Sequence, residues 1–184
     1  MSVSFRDNTW FAPFVVLFLF SSSTRLSLAV TKGEINTICT GTKNPSFCFK
    51  LFKSDPHMKK LDLFGVTKFL IKYGHHEALN THKLLQLHAE SITDPYIKKG
   101  YILCSKHFED TLEPFDSALK SLAAKDTLSL NLDISAAIDS AETCKDDFED
   151  VHIKLDPQIL MKINAFQYLC SVPLMISTLL PNNS

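Results

Sequence analysis

The chain has 184 residues with 19 basic and 20 acidic side chains, a formal net charge of −1 at pH 7. Both arginines lie at the N-terminal end, at positions 6 and 25, so the remainder lacks the arginine complement of a nucleic-acid-binding face. Only five glycines disfavour turn-rich β architectures and glycine-lined phosphate loops.

Residues 1–29 read as a secretory signal peptide. Arg6 gives a weak positive start, Trp10 to Phe20 is an apolar run, and Ser27-Leu28-Ala29 places small residues at −3 and −1 of a cleavage site. That run is too short for a membrane anchor, which needs about 20 residues. Nothing beyond it reads as a membrane span. Residues 30–184 then form one domain, predicted to be secreted. They hold 17 lysines, 19 acidic groups and all seven histidines. Mildly acidic surroundings would protonate those histidines and turn the domain net positive. A sequon at Asn182-Asn183-Ser184 ends the chain.

An oxidising compartment makes the cysteines a disulfide framework. Five cysteines allow several pairings. Cys39 and Cys48 bracket the turn-rich link Thr40 to Ser46, which folds one short helix on another over 32–53, so these two are paired. Cys104 is paired with Cys144, and Cys170, in an apolar run, is left as a buried free thiol.

Helical periodicity dominates residues 60–180. One stripe spans Leu61 to about Ser91, with Leu63, Val66, Leu70, Tyr73, Leu84 and His88. The strongest runs Tyr101, Cys104, Phe108, Leu112, Phe115, Leu119, Leu122, started by Asp94-Pro95 and kinked at Pro114. Asp126 to Asn131 separates it from a third stripe, Ile134 to Val151. Asp156-Pro157 starts the last helix, which reaches Ile176 and carries a second kink at Pro173. Short loops between long helices predict an all-α, up-down-up-down four-helix bundle over about 60–180, preceded by the helical hairpin.

Catalytic signatures are missing: there is no Gly-x-Ser-x-Gly elbow, no His-Glu-x-x-His and no Cys-x-x-Cys. His75, His76, His82 and His88 share a helix but no two stand four apart, so no metal, cofactor or small-molecule ligand is expected. What remains is charge on a surface. Asp110, Glu113 and Ser117 share one face of the second helix, and Asp139, Glu142 or Thr143, Asp146 and Asp150 recur on the third. Brought together by a Cys104–Cys144 bridge, these stripes suit a basic protein partner.

Several strings resemble the plant invertase inhibitor / pectin methylesterase inhibitor family, closest to its pectin methylesterase branch. They are Ile38-Cys39 through Asn44-Pro45-Ser46-Phe47-Cys48, Tyr101-x-x-Cys104-x-x-x-Phe108, Ser129 through Ala137, and Thr143-Cys144-x-Asp146-x-Phe148. The resemblance implies two disulfides paired first-with-second and third-with-fourth, and no enzymatic activity. It also implies an extracellular place in the plant cell wall, the apoplast, and one-to-one binding over the substrate cleft of a pectin methylesterase. Carried across by position, the contacts look like Gly65, Asp110, Glu113, Thr143 and Asp146. Lys106 stands where such inhibitors tend to be acidic, and Phe108 where a tyrosine is usual. The invertase branch, the alternative, carries Pro-Lys-Phe before its fourth cysteine, whereas this chain has Ala124 to Leu130 without it.

Overall fold

The computed structural model describes residues 29–150 and 152–181. The signal-peptide reading, apart from Ala29, together with Val151 and the Asn182 sequon, lies outside the described residues. The α-helices are α1 (Lys32–Thr40), α2 (Pro45–Ser54), α3 (Leu63–Ser91), α4 (Pro95–Asp110), α5 (Leu112–Ala124), α6 (Thr127–Asp150) and α7 (Pro157–Ser177), with a 3₁₀ turn at Met58–Lys60. There is no strand among the described residues.

Local chemistry sets most boundaries. Thr31 and Glu34 form a reciprocal capping box on α1. Asn44, Asp62, Asp94 and Asp156 each accept a backbone N–H at the start of α2, α3, α4 and α7, and proline occupies the first helical position of α2, α4 and α7. Its missing N–H costs nothing there, because the first four N–H groups of a helix have no internal partner.

Two expectations are corrected by the same logic. Pro114 does not kink a continuous helix. The chain ends α4 at Asp110 and restarts at Leu112, which moves Pro114 into the first turn of α5, where its lost donor is harmless. Thr111 occupies the break, fully buried, its hydroxyl donating to the Phe108 carbonyl at 2.7 Å. Nor does Asp126 to Asn131 form a linker. Lys125 closes α5 in the left-handed conformation (φ 59°), and Asp126 accepts from the Ser129 N–H at 3.0 Å and the Ser129 hydroxyl at 2.7 Å. This cap starts α6 at Thr127.

α3 packs on α4, α5 and α7, and α6 packs on the same three. With α4 and α5 acting as one broken helix, this is the four-sided bundle. The apolar stripe of α3 is narrower than periodicity implied. Val66, Leu70, Ile71, Gly74, Ala78, Leu85 and Ala89 are buried, whereas Tyr73 and Leu84 are about two-fifths exposed. Small residues in mid-helix let the opposite aromatics in: a Cβ on Gly74 would stand 2.9 Å from Phe115. Phe115 and Phe108 both meet the ring of Phe166, at 6.0 and 5.2 Å between centroids. Tyr101, buried against Phe148, accepts the Asp156 N–H on its hydroxyl at 2.9 Å.

α7 is long and apolar enough to cross a membrane, a property not anticipated from the sequence. Over half of its most apolar stretch is buried inside the bundle, the behaviour of a core helix. Pro173 sits buried within α7, which runs on to Ser177. The α1–α2 hairpin docks on α7: Phe47 packs against Tyr168 at 5.9 Å, and Gly41 lies close against Met175, whose thioether end would have to shift to make room for a Cβ.

Cys39–Cys48 and Cys104–Cys144 are the disulfides, with Cα separations of 5.3 and 4.6 Å. Cys170 is free and buried, and burial pushes its thiol far above the ordinary cysteine range, so it is inert as a nucleophile.

Candidate functional site

The Cys104–Cys144 bridge lays α6 alongside α4. One turn on, His107 Nε2 lies 2.9 Å from Asp147 Oδ2, and towards the other end the Ser121 hydroxyl donates to Asp133 at 2.8 Å, fixing α5 on α6. The bundle thus brings α4 and α6 side by side, with Asp110 and Thr143 within a few turns of the bridge that joins them. Their outward faces therefore join.

Asp110, Glu113, Asp139, Thr143, Asp146 and Asp150 all reach solvent. Glu142 is not part of this face, which resolves the choice left open by periodicity. It stands at the edge of the face and turns towards α7 and the hairpin, where it accepts from Gln167 and Lys145 and pairs with Lys43 of the hairpin at 3.7 Å. Partial burial pushes the Glu142 carboxyl up, but the hydrogen bonds from Lys145 and Gln167 and the two lysine charges outweigh it and hold the group below its ordinary value near 4.5. A depressed carboxyl stabilises the fold above the unfolded-state value, and that contribution is lost as pH falls through the folded-state value. Glu142→Gln is accordingly expected to flatten the fall of Tm below about pH 4.5, as read by thermal melts from pH 6 to 3; an unchanged acid profile would rule Glu142 out as a contributor.

Thr143 donates its hydroxyl to the Asp139 carbonyl at 2.9 Å, so the oxygen offers only acceptor capacity to a partner. The face is thus built almost wholly of acceptors. Lys106 is its exception: Nζ stands 2.9 Å from Asp110 Oδ1 and 3.3 Å from Glu109 Oε2. Those two hydrogen bonds, Asp110 first, raise its own pKa, and the ammonium masks part of the Asp110 charge.

Gly65 does not join these residues. It lies near the start of α3, lining a groove with Leu119, Leu122 and Lys125, and its N–H donates to the Asp62 cap at 2.8 Å. Since Gly74 faces Phe115, Gly65 sits about 20 Å along the bundle axis from the level of Asp110. Phe108 is fully buried against Phe166, so its lost hydroxyl concerns the core and not the surface.

Sequence reasoning missed Leu128 and Leu132, which are 67% and 62% exposed and lie on the α6 face that continues through Asp139 and Thr143. Their four-residue spacing is visible in the sequence, but Leu128 falls within the expected link Asp126 to Asn131 and Leu132 just before the third stripe. Among the described residues no group of three or more His, Cys, Asp or Glu could hold a metal ion.

A family model described as plant invertase/pectin methylesterase inhibitor matches residues 33–176. A pectinesterase inhibitor of Actinidia deliciosa is 33% identical over the whole of both chains. Pectinesterase inhibitor 1 of Arabidopsis thaliana is 31% identical, again over the full length of both. A crystal structure of a mutant form of an Arabidopsis pectin methylesterase inhibitor superposes with a TM-score of 0.74 at 31% identity, covering 82% of this chain and 99% of the other. These relatives are inhibitor proteins and not enzymes. The chain belongs to the plant invertase/pectin methylesterase inhibitor family.

Proposed function

We propose that this protein is a secreted inhibitor of pectin methylesterase that binds the enzyme one-to-one in the cell wall, through the α4–α6 face, and covers its substrate cleft. The observation that carries this reading is the conjunction of full-length likeness to pectinesterase inhibitors with a rigid, acceptor-rich face that holds Asp110, Thr143 and Asp146 beside the Cys104–Cys144 staple. The inhibitor contributes no chemistry. Its carboxylates draw in a basic rim, raising the association rate, and Leu128 and Leu132 offer apolar area that excludes water.

The test is a titration of methanol release by a plant pectin methylesterase against the oxidised protein, with sucrose hydrolysis by an invertase run in parallel. Stoichiometric loss of esterase activity alone supports the reading. Loss of invertase activity alone would replace it. Binding is expected to weaken as salt rises, because surface charges act over a Debye length of about 10 Å at 0.1 M.

Lys106 gives the charge argument a sharper form. Lys106→Gln frees Asp110 and Glu109 and adds one unit of negative charge to the face. The association rate at low salt should rise severalfold, with little change in Tm, since an exposed pair of this kind contributes little to stability. Stopped-flow or surface-plasmon measurement of the rate decides this, and a slower association would mean that the partner presents acidic groups to Lys106.

A further inference from the structure

A groove with a volume of about 530 Å³ lies away from the acidic face, between the first turns of α3 and the end of α5. Phe64, Leu119 and Leu122 form an apolar floor, and Lys68, Lys72 and Lys125 form the rim. None of these three ammonium groups has an ion-pair partner among the described residues. The acids nearest them in sequence are engaged elsewhere: Asp62 accepts the Gly65 N–H at the start of α3, Glu77 pairs with Lys162 of α7 at 4.0 Å, and Asp126 accepts from Ser129 at the start of α6. No carboxylate lines the groove, in a domain that carries more acids than lysines.

Two placements concentrate the charge. Lys68 and Lys72 are one helical turn apart on α3, so their stems leave the same face about 6 Å from each other. Lys125 occupies the left-handed residue that ends α5, at φ 59°, a position that favours glycine. The chain accepts a strained lysine where glycine would be the more stable choice.

The geometry points to a binding groove for an acidic polysaccharide, a run of uronate residues whose carboxylates meet the three lysines while sugar C–H faces rest on Phe64 and the two leucines. This rests on the proposed inhibition of a pectin methylesterase, because an esterase acting on a methyl-esterified polyuronate releases carboxylates on that polymer, and those supply the complementary charge. A lysine rim fits a polymer of singly charged, flexibly spaced carboxylates, since each ammonium is a point charge on a flexible stem. The inhibitor would in this way be held on stretches of polymer already de-esterified, with its acidic face turned elsewhere and free for the enzyme.

The experiment measures binding of the oxidised protein to polygalacturonate and to its fully methyl-esterified form, by co-sedimentation or calorimetry at 20 and 300 mM salt. The parent should bind the acid form, at least tenfold more weakly at high salt, and should not bind the ester. The triple variant Lys68→Gln, Lys72→Gln, Lys125→Gln should lose at least tenfold. A control of equal charge, Lys50→Gln, Lys53→Gln, Lys83→Gln, should bind as the parent does. Lys125→Gly alone should raise Tm and weaken polymer binding, which separates recognition from folding. Equal loss in the two triple variants, equal binding to acid and ester, or a groove variant that binds polymer as the parent does would each overturn the assignment. Inhibition is assayed on the same preparations: a protein that binds polymer through these lysines but inhibits no esterase supports the groove and overturns the reading on which it was built.

Discussion

Replacing Thr143 by tryptophan is expected to weaken inhibition of pectin methylesterase by at least about thirtyfold while leaving the melting temperature within about 2 °C of the parent. The side chain reaches solvent in the interior of α6, so the substitution removes no core contact, and threonine and tryptophan differ little in helix propensity. Surface changes of this kind move stability by about 0.5 kcal/mol or less. Binding is another matter. Thr143 lies beside Cys144, at the seam where α4 and α6 are stapled, with carboxylates on either side, and is therefore central to the proposed face. A bulky ring there holds the partner off and breaks contacts all round, and a central hot spot is worth about 2–4 kcal/mol, or roughly 30- to 700-fold at about 1.4 kcal/mol per decade. His76→Trp, on the exposed side of α3, is the matched control and should inhibit normally. Parent-like inhibition by the Thr143 variant would remove α6 from the interface.

The way these residues come together explains what the sequence could and could not disclose. The caps were legible because each is local: Asp94-Pro95 and Asp156-Pro157 fix a helix start within three residues. The Cys39–Cys48 pair could be read because the two bracket a turn, whereas the stripes place Cys104, Cys144 and Cys170 alike towards the core, and only the resemblance favoured joining the first two of these three. The break at Thr111 was not legible. Pro114 announces a disturbance but not its place, and the chain resolves it by stopping one turn earlier, where a buried threonine can bond the Phe108 carbonyl. The true stripe of α3 was hidden for a related reason. Periodicity weighs large apolar residues, whereas the centre of that interface is Gly74 and Ala78, small enough to admit Phe115 from the facing helix.

The site divides along the same line. The acidic repeat on α6 is a helical pattern and was found from its spacing. Which way Glu142 turns depends on Gln167, 25 residues away, and on Lys43 of the hairpin, and no local pattern carries that. Gly65 entered through resemblance alone. Its position beside the lysine groove, and not beside Asp110, follows only from how α3 crosses the end of α5.

Removing the Cys104–Cys144 bridge as a pair of alanines should lower Tm by about 8–16 °C, against roughly 5–10 °C for the Cys39–Cys48 pair. The difference comes from the unfolded chain. Loop closure over a separation of 40 residues restricts the denatured ensemble by about 4 kcal/mol, and over 9 residues by about 2.5 kcal/mol. For a domain of this size each kcal/mol shifts Tm by about 2–4 °C. All four cysteines are buried, so the cavity left behind is of the same kind in both variants and does not reverse the order. Function should separate the two further. Measured at about 15–20 °C, near the maximum of stability, where a total of about 5–15 kcal/mol leaves both variants folded, the hairpin variant keeps the α4–α6 face and should inhibit like the parent. The bundle variant loses the staple beneath Thr143. With the His107–Asp147 and Ser121–Asp133 contacts left to hold the helices in register, its inhibition should weaken more than its folded fraction accounts for. Equal Tm losses would mean that native contacts, and not loop closure, decide what each bridge contributes. A hairpin variant that loses inhibition while remaining folded would move part of the binding face onto α1 and α2.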